Sequence, residues 1–213
     1  EKGKEETKMN YKHLIYDFDG TLSNTYPCFA ETVIQMLKSR GLPADYKTVY
    51  DNLKVSVGHA LQHADFTEDY SVLRKEFHVV HDELALKIQK PYPEAEEILR
   101  YAMAQGHKNY LYTHSGKIVK ILLEQWGIAD CFEDIIDSTM SFPTKPAPDA
   151  LNWLCEKHGL DKKDCLMIGD RDIDTDCGRN AGMKGCLFDP EHYYDDADVD
   201  YRIENLLELK NII

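Results

Sequence analysis

Short, largely apolar runs recur along the chain, at residues 13–16, 109–112, 133–136, 165–168 and 185–188, with a weaker one at 199–203. Each has the length of a strand buried on both faces rather than of a helix. Between them lie amphipathic stretches. In 148–158, Leu151, Leu154, Cys155 and His158 recur at helical spacing, with Pro148 at the start and Gly159 as the stop. Strand alternating with helix predicts a parallel sheet covered on both faces.

One interval breaks the rhythm. About ninety residues separate Asp19 from Thr113, whereas a strand–helix–strand crossover needs a few dozen. The excess carries its own helical stripes: Phe29, Val33, Met36 and Leu37, ended by Gly41, then Leu73, Phe77, Val80, Leu84 and Ile88. The return runs through Lys90-Pro91-Tyr92-Pro93, a stiff non-helical connection. The expected architecture is therefore α/β. A Rossmann-like parallel-sheet core, residues 9–23 and 91–213, carries a small all-helical domain, 24–90, inserted after the first strand. Residues 1–8, EKGKEETK, read as a flexible N-terminal arm, and Met9 as a candidate natural start.

Composition narrows the partners. The formal net charge is −13, which disfavours nucleic acid and anionic membrane surfaces as partners. No apolar run reaches the roughly 18 residues of a membrane span, and no signal-peptide pattern opens the chain. The six cysteines form no CxxC and read as reduced thiols of a cytoplasmic protein, expected as a monomer or homodimer.

Four polar signals follow apolar runs: Asp17-Phe18-Asp19-Gly20-Thr21, Thr113-His114-Ser115-Gly116, Lys145 a short loop after 133–136, and Gly169-Asp170-Arg171-Asp172-Ile173-Asp174. In an open parallel sheet, ligands bind beyond the carboxyl ends of the strands. Parallel neighbours would bring all four signals to one edge. Carboxylates gathered there repel one another, and a hard divalent cation such as Mg²⁺ removes that repulsion. A carboxylate is also a nucleophile able to form an aspartyl-phosphate. Backbone N–H groups of a Gly turn, a hydroxyl and a lysine suit the phosphoryl oxygens, and the chain offers Gly20, Thr113 and Lys145. A second carboxylate, about 6–7 Å further along, could protonate the leaving oxygen and then activate water.

Each signal alone has an ordinary explanation. A DxDG stretch is common turn chemistry, Thr113 alone is a strand-end cap, and Lys145 alone is a surface charge. A calcium loop needs Gly at its sixth position and an acid at its twelfth. Counting from Asp17, Asp170 or Asp172 gives Leu22 and Cys28, Thr175 and Ala181, or Cys177 and Met183, and all three registers fail. The order and placement of the four signals together argue for a shared site.

From Met9 onward the sequence resembles the haloacid dehalogenase superfamily of aspartate-nucleophile phosphohydrolases, in its phosphoglycolate-phosphatase-like branch with a helical cap. "DFDGTL" matches the first motif, DxDx[TV], "LYTHSG" the second, "TKPAPDAL" the third and "IGDRDID" the fourth, GDxxxD. The resemblance implies Asp17 as nucleophile and Asp19 as general acid/base, with the Asp19 main-chain carbonyl on the metal. It implies Thr113 on the phosphate, Lys145 as charge stabiliser, and Asp170 and Asp174 as Mg²⁺ partners beside Asp17. Phe18, Gly20, His114 and Ser115 join the expected substrate site. His114 stands where many relatives carry Asn or Ser. Dehalogenases proper lack the second Asp; phosphomutases keep it.

The expected function is Mg²⁺-dependent hydrolysis of a small phosphorylated metabolite. The alternatives are a phosphomutase, a receiver-type phosphoacceptor or a non-catalytic metal-binding module. Specificity is expected from the cap, where Lys54-Val55-Ser56-Val57-Gly58-His59 interrupts the helical pattern and Gly58 permits a turn. Ser56 and His59 are the candidate leaving-group contacts. The pairs His59/His63 and His78/His81 have zinc-compatible spacing without an evident third ligand, and read as exposed or cap-packing residues. Trp126 and Trp153 read as core.

Overall fold

The computed structural model describes residues 11–213. The expected arm at 1–8 lies outside them. The described chain forms two compact units: one runs up to Leu22 and resumes over Tyr92–Ile213, and the other is Ser23–Pro91.

The first unit is built on β1 (His13–Tyr16), and the second holds β2 (Ser23–Asn24), α1 (Tyr26–Ser39), α2 (Tyr46–Val55), α3 (Val57–His63), α4 (Tyr70–Ile88) and β3 (Lys90–Pro91). The first unit continues with α5 (Ala95–Ala104), β4 (Lys108–Tyr112), α6 (Ile118–Gln125), β5 (Phe132–Ile136), α7 (Asp149–His158), β6 (Cys165–Gly169), α8 (Asp172–Ala181), β7 (Lys184–Phe188) and β8 (Tyr201–Ile203). Six strands form one sheet in the order β5-β4-β1-β6-β7-β8, and every pairing in it is parallel. This is a Rossmann-like α/β fold. Each expected strand is present, extended by no more than a residue at either end or, for β8, shortened at its start. β1 is central because Leu14, Ile15 and Tyr16 are fully buried, as a strand covered on both faces requires. Helix α7 begins after Pro148 and stops at Gly159, whose φ is +64°, a left-handed cap that favours glycine.

In the helical unit all four helices contribute to the core. α1 buries Val33, Met36 and Leu37 as the spacing predicted. α4 departs from its predicted stripe. It buries Leu73, Phe77, His81 and Ala85, whereas Val80 and Leu84 are half-buried and Ile88 is exposed. The helix presents an i, i+4 row, and a histidine enters that row because its Nε2 meets Gln89 Oε1 at 3.1 Å. A satisfied polar group can be buried where a bare one cannot. Gln89 also donates to Ser23 Oγ at 2.8 Å, beside the short antiparallel pairing of β2 with β3.

The chain break near Gly58 also differs from expectation. Gly58 is helical; the interruption is at Ser56, extended at φ −175°, which ends α2 and caps α3. Smallness at Gly58 serves packing instead, since a Cβ there would meet the Tyr70 hydroxyl at 3.0 Å. His59 stacks on His63 at 3.8 Å between ring centroids, and His81 packs edge-on against Phe29. Trp126 and Trp153 are half-buried rather than core. Lys157 lies over the Trp153 ring at 4.7 Å. Among the described residues no helix is long and apolar enough to cross a membrane. All six cysteines are buried, with no disulfide among the described residues.

Candidate active site

Strand β1 runs one hydrogen bond past its end, because the Asp17 N–H donates to the Ile168 carbonyl at 2.8 Å. That carries the Asp17 carboxylate to the carboxyl edge of the sheet, where it is buried. The chain then turns. Thr21 and Leu22 donate to the Phe18 carbonyl at 3.3 and 3.1 Å, and Gly20 sits at φ +86°, where a side chain is disfavoured. Phe18 itself points inward. Its ring is 1% exposed and stacks on Trp126 at 5.6 Å, so only the main chain of Phe18 is left to a site.

The β4 end supplies the next groups. Thr113 is buried and its Oγ1 accepts the Ser115 N–H at 3.0 Å. The Thr113 and Ser115 hydroxyls both face the Asp19 carboxylate, at 3.5 and 2.5 Å from Oδ2. Asp19 is thus turned toward the second motif while Asp17 is turned toward the third and fourth. His114 is exposed overall, but its Nε2 is directed inward and accepts the Lys145 N–H at 3.0 Å.

Lys145 arrives on the loop after β5. Its side chain is 2% exposed. The ammonium lies 2.5 Å from Asp17 Oδ1 and 2.8 Å from Asp174 Oδ1, and 4.6 Å from the centre of the Tyr112 ring. After β6, Asp170 is buried, and Asp174 stands on the first turn of α8 with Oδ2 accepting the Arg171 N–H at 3.1 Å. Gly169 makes room for it: a Cβ there would fall 2.2 Å from the Asp174 Cβ. One carboxylate oxygen each from Asp17, Asp170 and Asp174 lie within 4.8 Å of one another.

The electrostatics follow from this crowding. Burial raises the Asp17 pKa; Lys145 opposes the rise, and Asp174, Asp170 and Asp19 add to it. Burial alone would lower the Lys145 pKa, but Asp17 and Asp174 outweigh it and hold the ammonium charged. For His114, partial burial of the ring and then the Lys145 charge bring the pKa down to about 4. The direction agrees with the geometry, since Nε2 spends its lone pair on an N–H.

The core unit therefore gathers Asp17, Asp19, Thr113, His114, Ser115, Lys145, Asp170 and Asp174, with Gly20 at the turn. Ser56 and His59 belong to the helical unit, where the Ser56 hydroxyl accepts the His59 N–H at 2.9 Å as a helix cap. Four contributors were given no role from the sequence. The Tyr112 ring under Lys145 is signalled by an aromatic as the last residue of β4. Gly169 is signalled by its place directly before Asp170. Asn180 and Cys177 donate to the Pro146 and Ala147 carbonyls at 3.0 and 3.2 Å, and carry no local signal.

Three buried carboxylates and one ammonium at the carboxyl edge of a parallel sheet, with two hydroxyls beside them, define an α/β enzyme that handles an anion together with a cation. The chain belongs to the haloacid dehalogenase-like hydrolases, whose family model matches residues 14–188. It is 32% identical over 190 residues to a phosphoglycolate phosphatase of Vibrio parahaemolyticus, spanning 83% of this chain and 82% of that one. It is 26% identical over 209 residues to an N-acetylmuramic acid 6-phosphate phosphatase of Pseudomonas aeruginosa, spanning 91% and 92%. The fold matches the crystal structure of a predicted phosphoglycolate phosphatase from Haemophilus somnus, with a TM-score of 0.82, 23% identity, and 95% and 98% of the two chains covered. Within its family the chain is a phosphoric monoester hydrolase of the phosphoglycolate-phosphatase-like branch.

Proposed function

We propose that the protein hydrolyses a small phosphorylated metabolite through an aspartyl-phosphate formed on Asp17, with Mg²⁺ as cofactor and the helical unit as a cap that selects the substrate. The observation that carries this reading is the buried Asp17–Lys145–Asp174 cluster. A carboxylate this buried resists ionisation, yet a nucleophile must be ionised. Lys145 supplies part of the required charge. Three carboxylates within reach of one ion, facing a single ammonium, fit a hard divalent cation. Asp17, Asp170 and Asp174 would hold it, and when bound it would neutralise phosphoryl and carboxylate charge.

In the first step an Asp17 oxygen bonds to phosphorus, the P–O ester bond breaks, and Asp19 gives its proton to the departing oxygen. In the second, Asp19 takes a proton from water, the water oxygen bonds to phosphorus, and the acyl-phosphate bond breaks to return Asp17 and release phosphate. Lys145 and the Thr113 hydroxyl stabilise the phosphoryl oxygens. Ser115 orients Asp19 through the 2.5 Å bond.

2-Phosphoglycolate heads the panel of substrates because several relatives carry that activity in their names; sugar 6-phosphates follow. The test is phosphate release across the panel with and without excess chelator. The reading expects turnover that chelation abolishes and Mg²⁺ restores, and no trapped phosphoenzyme from Asp17→Asn. Full activity in chelator, or wild-type turnover by Asp17→Asn, defeats it.

A further inference from the structure

Lys145 sits in the stretch 143–147, which has no helix or strand of its own, yet its ammonium must meet two carboxylates at 2.5 and 2.8 Å. Something has to hold that backbone. From α8, Asn180 and Cys177 donate to the Pro146 and Ala147 carbonyls. Those bonds act on the residues after Lys145. On Lys145 itself, the N–H donates to His114 Nε2 at 3.0 Å. Pro146 has no N–H, so this is the one main-chain donor of the dipeptide. An accepting Nε2 places the ring proton on Nδ1. Tyr112 joins the two residues, with the His114 ring edge-on to it at 5.9 Å and the Lys145 ammonium over its face at 4.6 Å.

We propose that His114 is a positioning residue for Lys145: by accepting the Lys145 N–H it fixes the backbone from which the ammonium reaches Asp17 and Asp174. This rests on the reading of Lys145 as the group that stabilises the phosphoryl oxygens. It differs from a role for His114 on the substrate, because Nε2 is already committed to the Lys145 N–H and the role acts through that bond. The consequence is a loss common to all substrates, since every substrate presents the same phosphoryl group to Lys145.

Two variants separate the roles. His114→Leu keeps the volume and removes the acceptor; His114→Gln offers a side-chain carbonyl in its place. The first measurement is hydrogen exchange of the Lys145 amide in the substrate-free protein. Exchange is expected to speed up about tenfold or more in His114→Leu and return toward wild type in His114→Gln, while other core amides keep their protection. The second is kcat and KM on 2-phosphoglycolate and p-nitrophenyl phosphate. An equal fall of about tenfold in kcat on both is expected for His114→Leu, with recovery in His114→Gln. Unaltered Lys145 exchange in His114→Leu overturns the proposal whatever the activity. So does a loss confined to 2-phosphoglycolate, which would put the ring on the substrate, and so does altered exchange with normal turnover. Full turnover by Lys145→Ala would instead remove the reading of Lys145 and leave the hydrogen bond standing.

Discussion

Removing the Lys145 charge should cost the protein stability as well as activity, and the cost should depend on pH. In Lys145→Met the side chain keeps its length and loses its ammonium. Two carboxylate contacts, at 2.5 and 2.8 Å, go with it. The lysine side chain is 2% exposed and those of Asp17 and Asp174 are 10% and 3% exposed, so solvent screening does little to weaken the pairs. Breaking a buried ion pair by deleting one partner costs about 3–5 kcal/mol, because the other charge is left buried. For a chain of this size each kcal/mol moves the unfolding temperature by about 2–4 °C, so a fall of about 6–20 °C is expected in chelated, metal-free buffer.

The pH dependence follows from Asp17. Its pKa is raised in the folded protein, by burial first and by neighbouring carboxylates after it. A carboxyl group with a raised folded pKa binds its proton more tightly in the native state. Its contribution is favourable below the unfolded pKa and is lost as pH rises through the folded value. Lys145 opposes that rise, so the variant has its Asp17 pKa pushed higher still. The deficit in unfolding temperature should therefore be larger at pH 8 than at pH 5. Adding Asp174→Asn to Lys145→Met removes one of the stranded charges and should recover part of the loss at pH 8. Thermal unfolding followed by circular dichroism at the two pH values decides the matter. A deficit under about 2 °C at pH 8, or one equal at both pH values, would refute the electrostatic account of the cluster.

Other outcomes are expected from single contacts. Asp19→Asn should slow turnover by about 10²–10⁴-fold, the scale of general acid–base catalysis, while still allowing some phosphoenzyme to be trapped from a substrate with a good leaving group; loss of all phosphoenzyme on such a substrate would show that Asp19 is needed for attack. Gly169→Ala places a methyl 2.2 Å from the Asp174 Cβ and should destabilise by about 1–3 kcal/mol through overpacking, read as a lowered denaturant midpoint; an unchanged midpoint would mean that α8 yields freely. Ser56→Ala removes the acceptor for the His59 N–H and should cost about 1 kcal/mol. Equal kcat/KM losses on every substrate would then mark a capping role, whereas a loss selective for the natural substrate would return Ser56 to the substrate site.

The inner strands were legible because strands buried on both faces must be nearly continuous runs of apolar residues, and such runs are short and conspicuous. The four polar signals were legible for the reason that put them there. A parallel sheet ends its strands at one edge, and carboxylates or hydroxyls directly after an apolar run have nowhere else to go. Helix α4 was less readable. Its buried row includes His81, whose burial depends on Gln89 as a hydrogen-bond partner, and a polarity scale counts the histidine as surface. Ser56 shows the same limit from the other side. A serine between two helical stretches can be a cap, a ligand contact or both, and the cap shows only once its oxygen is seen to meet the N–H three residues on.

His114 carries this furthest. Its place directly after Thr113 made it a candidate for the substrate, and composition or spacing could add nothing more. The structure adds an N–H donor 31 residues away in the chain, on a loop with no periodicity to read. A side chain's neighbourhood along the sequence fixes which edge of the sheet it reaches. Its partner is chosen by what the rest of the fold leaves unsatisfied there, and the Lys145 N–H, on a loop residue followed by a proline, was such a group. Residues that bring charge or a hydroxyl to the strand ends are thus readable from their type and position. Those that hold the bearers in place become readable only when every buried main-chain donor near the site has been assigned an acceptor.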